Sequence, residues 1–417
     1  MILRPKEITP FGDVVNISQL EDTGGISDTI EMLPRSEFIR SIHMHLDRTR
    51  ELGPHIGKSD GVVDMREQLA ERKGDAPVIA AMLAVFSYIH TVYMSLNNLR
   101  ELGPVTAANL ANSNSIHTIY MSLNDLGEFG PATTANLATA PNLQILDISR
   151  NILRTFGPAT ADNVAMAPKL HTVDMSRNVL RENGPGTTKN LAKSGSIHTV
   201  NINTNGLERH GPETVKNLVA SNHIRVVDIG WNDLGEFGPD TADEFAKSSY
   251  LQVVDMRGNN LGYHGIATAR NLSKSKSIIS VNMGGNLLKQ YGPEVAAEFA
   301  KSHSIREVNM TYNRLGEFGP KTADEFSKSN FICSVDMRNN HFTVDQAIEI
   351  ALIFAKHSIK LGIEYVFHST IRKAIQQDNC LVHTHLEQAM SKTFGQTPTV
   401  LIGLIEDYAD SFIEFMT

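Results

Sequence analysis

One pattern recurs along most of this chain, and each clear copy begins 27 residues after the one before it. The stretch "IHTIYMSLNDLGEFGP" at 116–131 has close copies at 89–104 and 224–239. Ten clear repeats follow one another without insertion, and they begin at Ile89, Ile116, Leu143, Leu170, Ile197, Ile224, Leu251, Ile278, Ile305 and Ile332. One such segment cannot bury its own apolar face, so the copies must stack on one another to build a continuous core.

The residue types within a repeat predict one strand and one helix. In the second clear repeat the apolar residues at positions 4 and 6 are Ile119 and Met121, and they alternate with polar neighbours, which is typical of a half-buried strand. Gly130 and Pro131 then predict a helix start, because proline loses no needed hydrogen bond in a first helical turn. Small and apolar residues such as Leu110 in the preceding copy are expected to bury the helix against the strand.

The spacing of these residues reads LxxLxLxxNxL, which is the signature of leucine-rich repeats. The whole unit resembles the ribonuclease-inhibitor-like subtype over roughly residues 12–358, with methionine in place of leucine at position 6 in most copies, as in Met94, Met175 and Met256. The resemblance implies an α/β fold: a right-handed leucine-rich repeat solenoid shaped as a curved horseshoe. Parallel strands would lie inside and helices outside, in about thirteen repeats.

The regularity of the pattern predicts the domain organisation. Residues 1–358 are expected to form the solenoid, with degenerate repeats at 12–88 and regular ones at 89–358. The degenerate repeats around 39–88 are expected to lack full helices. Residues 359–417 read as three amphipathic helices, which we expect to form a C-terminal cap over the last apolar face of the solenoid.

Composition limits the compartment and the partners. The 417-residue chain has a formal net charge of −8, which disfavours a general nucleic-acid binder. Its two cysteines, Cys333 and Cys380, lie far apart and suit a reducing, intracellular compartment. No stretch reads as a secretory signal or a membrane span. We expect a monomer that binds a protein partner and no nucleic acid.

The chain shows no catalytic signature: it contains no P-loop, no GxSxG, no HExxH and no paired CxxC. We therefore expect no enzyme activity and no cofactor. Histidines recur at position 2, and His90 and His117 should lie one strand apart, but no carboxylate or cysteine joins them, so no metal site is predicted. The asparagine that recurs at position 9 is expected to pair backbone groups of neighbouring repeats rather than to bind a ligand.

The exposed face of the strands varies among copies that otherwise keep their core. Position 5 changes from tyrosine to a mostly acidic series, and position 8 varies most and includes the only tryptophan. Arginines lie two or three residues after several of the acids, so these charges are expected either to pair internally or to meet a partner, and Trp231 either to lie flat on its neighbours or to anchor an interface. The predicted partner-binding residues on the concave face are Tyr93, Tyr120, Asp147, Asp174, Asp228, Trp231, Asp255, Arg257, Tyr312 and Arg338.

These features favour a non-catalytic protein-protein interaction scaffold. The near-identical repeats are similar to those of leucine-rich repeat effectors that bacteria inject into host cells, and "IEDYADSFIEFMT" is similar to the C-terminal signal of Dot/Icm-type (type IVB) effectors. That resemblance implies virulence, type IV secretion into the host cytoplasm and a host protein as partner. The alternative is a GTPase-activating protein of the Ran-activating leucine-rich repeat type. A eukaryotic ribonuclease-inhibitor-like protein is a further alternative, but the cysteine-rich repeats that ribonuclease inhibition would require are missing.

Overall fold

The structure is a computed structural model. The residues it describes are 14–16, 41–43, 62–67, 69, 73–357 and 359–362. Most of the predicted degenerate repeats, and nearly all of the predicted C-terminal cap, lie outside these residues. The chain forms two compact units, residues 1–227 and 228–417, which are called below the N-terminal unit and the C-terminal unit.

Each repeat begins with a strand of three residues. The strands are β1 Val14–Asn16, β2 Ser41–His43, β3 Val62–Asp64, β4 Thr91–Tyr93, β5 Thr118–Tyr120, β6 Ile145–Asp147, β7 Thr172–Asp174, β8 Thr199–Asn201, β9 Val226–Asp228, β10 Val253–Asp255, β11 Ser280–Asn282, β12 Glu307–Asn309, β13 Ser334–Asp336 and β14 Lys360–Gly362. In the N-terminal unit β1 to β8 pair with one another in parallel and in chain order. In the C-terminal unit β10 to β14 do the same.

A helix follows the strand in each well-formed repeat, usually after one turn of 3-10 helix such as Arg100–Leu102. The helices are α1 Ala76–Ala84, α2 Gly103–Ala111, α3 Gly130–Leu137, α4 Gly157–Val164, α5 Gly184–Leu191, α6 Gly211–Val219, α7 Gly238–Ala246, α8 His264–Leu272, α9 Gly292–Phe299, α10 Gly319–Ser327 and α11 Val344–Lys356. Alternating parallel strands and helices in this order confirm the leucine-rich repeat solenoid. Within the described part of the chain, no helix has the length and apolarity needed to cross a membrane.

The conserved spacing of the repeat places its apolar residues in the core. Ile119, Met121 and Leu126 are each at most 1% exposed, and the same positions are buried in the other clear repeats. The glycine that starts most helices is required by close packing. At Gly103 an added Cβ would lie 2.5 Å from Leu126 Cδ2 of the next repeat, so any side chain there would displace the buried Leu126 side chain.

The asparagines at position 9 form the predicted ladder. Asn124 is fully buried, and its Nδ2 donates to the backbone oxygens of Met94 at 2.8 Å and Met121 at 3.0 Å. Its Oδ1 accepts from the backbone N–H of Asn97 at 2.9 Å, and its own N–H donates to Asn151 Oδ1 at 2.9 Å. Buried backbone groups that the turn would otherwise leave unpaired are thereby satisfied, which confirms the structural role expected for this column.

Two elements at the margins of the regular repeats differ from the sequence-based expectation. Helix α1, Ala76–Ala84, is nine residues long, so the expectation that residues 39–88 lack full helices is wrong for the last degenerate repeat. Strand β14, Lys360–Gly362, pairs with β13 at a spacing of 26 residues, as Ser334 opposite Lys360 shows. The strand therefore continues the repeat beyond residue 358, where the clear pattern ends.

Candidate binding face

The candidate site is the strand face, which we define as the side chains at repeat positions 3, 5, 7 and 8. Successive residues of a strand point to opposite sides of the sheet. Position 4 is buried in the core, so positions 3 and 5 point to the opposite side, where most of them are only half-buried. Each repeat therefore contributes one short row of side chains to this face.

The acids and amides at position 5 have a structural role that the sequence did not reveal. In Asp147 and Asp174 the Oδ1 atom accepts the backbone N–H two residues ahead, at 2.8 Å in both cases. This contact closes an Asx turn at the end of the strand. The same contact is made by Asp64, Asn201, Asp228, Asp255, Asn282, Asn309 and Asp336.

The backbone at position 8 is left-handed in every clear repeat. Its φ lies between 53° and 66° in Leu96, Leu123, Arg150, Arg177, Thr204, Trp231, Gly258, Gly285, Tyr312 and Asn339. The N–H group of this residue points to the next repeat, as in Trp231, which donates to the Arg257 oxygen at 2.8 Å. Bulky and β-branched residues rarely adopt this conformation, so the repeat imposes it on whatever side chain stands there.

Aromatic rings stack along the strand face of the N-terminal unit. The rings of Tyr93 and Tyr120 are parallel within 3° and their centroids are 4.4 Å apart. The Arg66 guanidinium lies 5.2 Å from the centroid of the Tyr93 ring and forms an ion pair with Asp64. The hydrogen bond that Arg66 donates to Asp64 raises the pKa of Arg66. Burial, and then the neighbouring Tyr93, raise the pKa of the Tyr120 hydroxyl.

Two acids follow this stack in the same unit. Burial raises the pKa of Asp147, the negative charge of Asp174 adds to the shift, and the hydrogen bonds from Ser149 oppose it. Asn201 in the next repeat donates its Nδ2 to Asp174 Oδ2 at 2.8 Å. The amide therefore offsets part of the repulsion between adjacent carboxylates.

In the C-terminal unit one guanidinium is shared by two carboxylates. Arg257 Nη2 lies 3.2 Å from Asp228 Oδ2, and Arg257 Nε lies 3.3 Å from Asp255 Oδ2. Asn282 Nδ2 also donates to Asp255 Oδ2 at 2.9 Å. Burial, and then the charge of Asp228, nevertheless raise the pKa of Asp255 to about 6.

The internal pairing expected for the arginines holds for two of them. Arg257 pairs as described above, and Arg338 forms an ion pair with Asp336, two residues before it. Arg150 and Arg177 make no side-chain ion pair among the residues that the structure describes. The charges of the strand face are therefore paired internally in the C-terminal unit more than in the N-terminal unit.

Trp231 lies across the next repeat. An added Cβ on Gly258 would lie 2.4 to 2.6 Å from the indole atoms Cδ2, Cε2 and Cε3, so the ring occupies the space above this glycine. The side of the indole away from Gly258 is open, since Trp231 is 57% exposed. A Cβ on Gly285, one repeat further, would approach only the backbone of Gly258, and Tyr312 beyond it is 62% exposed.

A second glycine accommodates a side chain that runs in the opposite direction. An added Cβ on Gly230 would lie 3.0 Å from Arg257 Cγ, so the arginine stem passes over Gly230 towards Asp228 while Trp231 passes over Gly258. These glycines were absent from the predicted site. Their signal in the sequence is the appearance of glycine at positions 7 and 8 only in the repeats around the single tryptophan.

The histidine column also stacks in the N-terminal unit. The rings of His90 and His117 are parallel within 9° with centroids 5.3 Å apart, and burial, followed by the neighbouring His90, lowers the pKa of His117. Across the described residues no group of three or more His, Cys, Asp or Glu side chains is placed to hold a metal ion.

The predicted binding residues thus fall into separate clusters. The N-terminal unit brings Tyr93 together with Tyr120, and Asp147 with Asp174. The C-terminal unit contains the other six. Of these, Asp228, Asp255 and Arg257 form one cluster beside Trp231, and Tyr312 donates its backbone N–H to the Arg338 oxygen at 3.1 Å. Their role in binding stays a prediction.

Comparison with known proteins assigns no function to this chain. No protein-family profile and no curated protein matches the chain. Among solved structures, the chain is similar to the leucine-rich repeat-containing protein LegL7 from Legionella pneumophila. The sequence identity is 16%, the match covers 67% of this chain and 94% of that chain, and the TM-score is 0.48.

Proposed function

We propose that this protein is a non-catalytic scaffold that binds a partner protein on its strand face. The observation that supports this most is the pair of exposed aromatic side chains at left-handed positions, Trp231 and Tyr312. Bulky aromatic residues are poor choices for that backbone conformation, and glycine or asparagine would fit it at lower cost. Since solvent-exposed rings add little to folding, their use here is best explained by contact with another molecule.

The surroundings of Trp231 resemble a binding hot spot. Such sites are rich in Trp, Tyr and Arg, and they bury an aromatic anchor within a ring of polar contacts. The indole is held against Gly258, so little conformational freedom would be lost when a partner covers its open side. Arg257, Asp228 and Asp255 lie beside it as a fixed polar border.

The test is capture of a partner followed by measurement of its affinity. The full chain is immobilised, bound proteins from host-cell lysate are identified, and the purified partner is titrated against Trp231→Ala and Tyr312→Ala. Tyr263→Ala is a matched control, because Tyr263 is an aromatic residue of similar exposure, 60%, that lies at the start of α8 rather than on the strand face.

We expect Trp231→Ala to weaken binding by about 2 kcal/mol or more, Tyr312→Ala by less, and the control to have little effect. Unchanged affinity of a folded Trp231→Ala variant would place the interface elsewhere, for example on the Tyr93 and Tyr120 stack.

The effector role and the GTPase-activating alternative rest on sequence resemblance alone. The secretion hypothesis is tested by fusing the full chain to a translocation reporter in a bacterium with a Dot/Icm system, with and without residues 401–417. The alternative is tested by GTP hydrolysis of Ran and related small GTPases with and without the protein. Acceleration of hydrolysis would contradict a purely non-catalytic scaffold.

A further inference from the structure

The indole of Trp231 is a fixed plane with one open side. Gly258 leaves room for the ring to lie flat, and Gly285 beyond it places no side chain over the remaining surface. The open side is therefore available to a flat or compact group of a partner.

The side chains around this plane are mostly acidic. Asp228 and Asp255 share Arg257, and Asp233, two residues after Trp231, accepts a hydrogen bond from Asn260 Nδ2 at 2.8 Å. Three carboxylates thus accompany one guanidinium in this region. By contrast, the charged residues near Tyr312 in its own repeat and the next one balance. They are the acids Glu307 and Asp336 and the arginines Arg314 and Arg338.

This charge distribution decides between an apolar and a cationic occupant. The Asp255 side chain is only 19% exposed, and this burial raises its pKa to about 6. A neutral group that covered Trp231 would remove more water from these carboxylates without replacing it, which raises their free energy. A cation would restore favourable electrostatics and would also be attracted to the negative face of the indole ring.

We infer that the open side of Trp231 binds a guanidinium or ammonium group on a basic segment of the partner protein, with Asp228 and Asp255 supplying the opposing charge. This inference rests on the proposed function and specifies the chemistry of the partner. The contact is a cation–π interaction, and Gly258 and Gly285 keep the surface around it free of side chains.

Trp231 is the only tryptophan of the chain, so its fluorescence reports on this site alone. The probe is an acetylated and amidated octapeptide of alternating glycine and arginine. Its matched control replaces every arginine with citrulline, which keeps the shape and removes the charge. Both peptides are titrated into the full chain and into Asp255→Asn, Asp228→Asn and Asp336→Asn, and calorimetry replaces fluorescence for Trp231→Ala.

We expect the arginine peptide to bind about 2- to 5-fold more tightly than the citrulline peptide, which corresponds to the strength of an exposed cation–π contact. Asp255→Asn, Asp228→Asn and Trp231→Ala should each weaken its binding, and Asp336→Asn, three repeats from Asp255, should not. Binding should also weaken between about 20 mM and about 200 mM ionic strength. Thermal melting of each variant verifies that it folds.

Equal affinity for the two peptides, or equal loss in Asp255→Asn and Asp336→Asn, would overturn the inference. If the captured partner depends on Trp231 while the peptides bind alike, the scaffold function stands and the cationic contact is wrong. If the arginine peptide binds as expected while the partner is indifferent to Trp231, the proposed interface is wrong instead.

Discussion

The strand faces of the two units are built on the same repeat but present different chemistry. In the N-terminal unit the rings of Tyr93 and Tyr120 stack on each other, so they cover the strands and support one another. In the C-terminal unit Trp231 stands apart from other aromatic rings in the described residues and lies over the backbone of Gly258. The first arrangement satisfies the aromatic side chains internally, whereas the second leaves one side of a ring open.

The difference shows that separate sets of residues in this repeat determine the stability of the fold and the chemistry of its surface. The asparagine ladder is the same in both units, for example in Asn124 and Asn286, each fully buried. The side chains on the strand face differ between the units. Substitutions in the ladder should therefore act alike in the two units, and substitutions on the face should not.

The largest effect is expected from the ladder. Asn151→Leu in the N-terminal unit and Asn286→Leu in the C-terminal unit should each destabilise by roughly 3 kcal/mol, because each leaves several buried backbone groups unpaired. Denaturant unfolding followed by circular dichroism measures both losses. A near-neutral result for either variant would break the claim that the ladder works equally in the two units.

The next effect is specific to the C-terminal unit. Gly258→Ala should destabilise by about 2 kcal/mol, since alanine there is strained by a φ of 66° and also displaces the Trp231 ring. Gly285→Ala has nearly the same φ, 65°, and meets no side chain, so it should cost only about 1 kcal/mol.

The double variant Trp231→Ala with Gly258→Ala separates the two contributions. Removing the indole should return the cost of Gly258→Ala to that of Gly285→Ala, as measured by thermal unfolding. If Gly258→Ala and Gly285→Ala destabilise the protein equally while Trp231 is present, the indole does not lie over Gly258.

A smaller effect concerns pH. The pKa of Asp255 in the folded protein, about 6, lies above its ordinary value of 3.8. The folded state therefore binds this proton more tightly than the unfolded state, so Asp255 adds stability at low pH that is lost as the pH rises through about 6.

Comparison of thermal unfolding at about pH 5 and about pH 7.5 should show this gain, worth about 1 to 2 kcal/mol, in the native chain and not in Asp255→Asn. Asp147→Asn in the N-terminal unit should change the pH dependence in the same direction, because burial also raises the pKa of Asp147. An increase in stability with pH that Asp255→Asn abolishes would contradict the sign of this argument.

The smallest effect is the coupling between stacked rings. A double-mutant cycle of Tyr93→Leu and Tyr120→Leu should give about 0.5 to 1.5 kcal/mol, the usual value for a stacked aromatic pair. The same cycle for Trp231 and Tyr312, three repeats apart, should give almost none. Comparable coupling in both cycles would show that the two faces are less different than their geometry implies.

The sequence predicted the features that repeat and missed those that depend on a neighbour. The strands, the Gly-Pro helix starts and the asparagine ladder follow from a fixed spacing, and all were predicted. Strand β14 was not predicted because its spacing of 26 residues breaks the 27-residue period. Helix α1 was not predicted because its repeat is irregular in sequence.

For the candidate site, the sequence led us to predict Trp231 and its neighbouring acids as binding residues, but not Gly230 or Gly258. Those glycines gain their meaning only when the Arg257 and Trp231 side chains are seen to pass over them. The acids at position 5 were similarly interpreted as surface charges. Their hydrogen bond from the backbone N–H two residues ahead cannot be recognised from the amino-acid composition.

The left-handed backbone at position 8 has a consequence for how such a chain changes over generations. Conformational strain there belongs to the repeat itself, and Leu96, Arg150, Thr204 and Trp231 all tolerate it at φ values from 53° to 65°. Exchange of one large side chain for another adds no new backbone strain, so mutation can explore this column with the core left intact. The ten left-handed sites are a row of interchangeable positions along which new binding specificities can arise while the fold is kept.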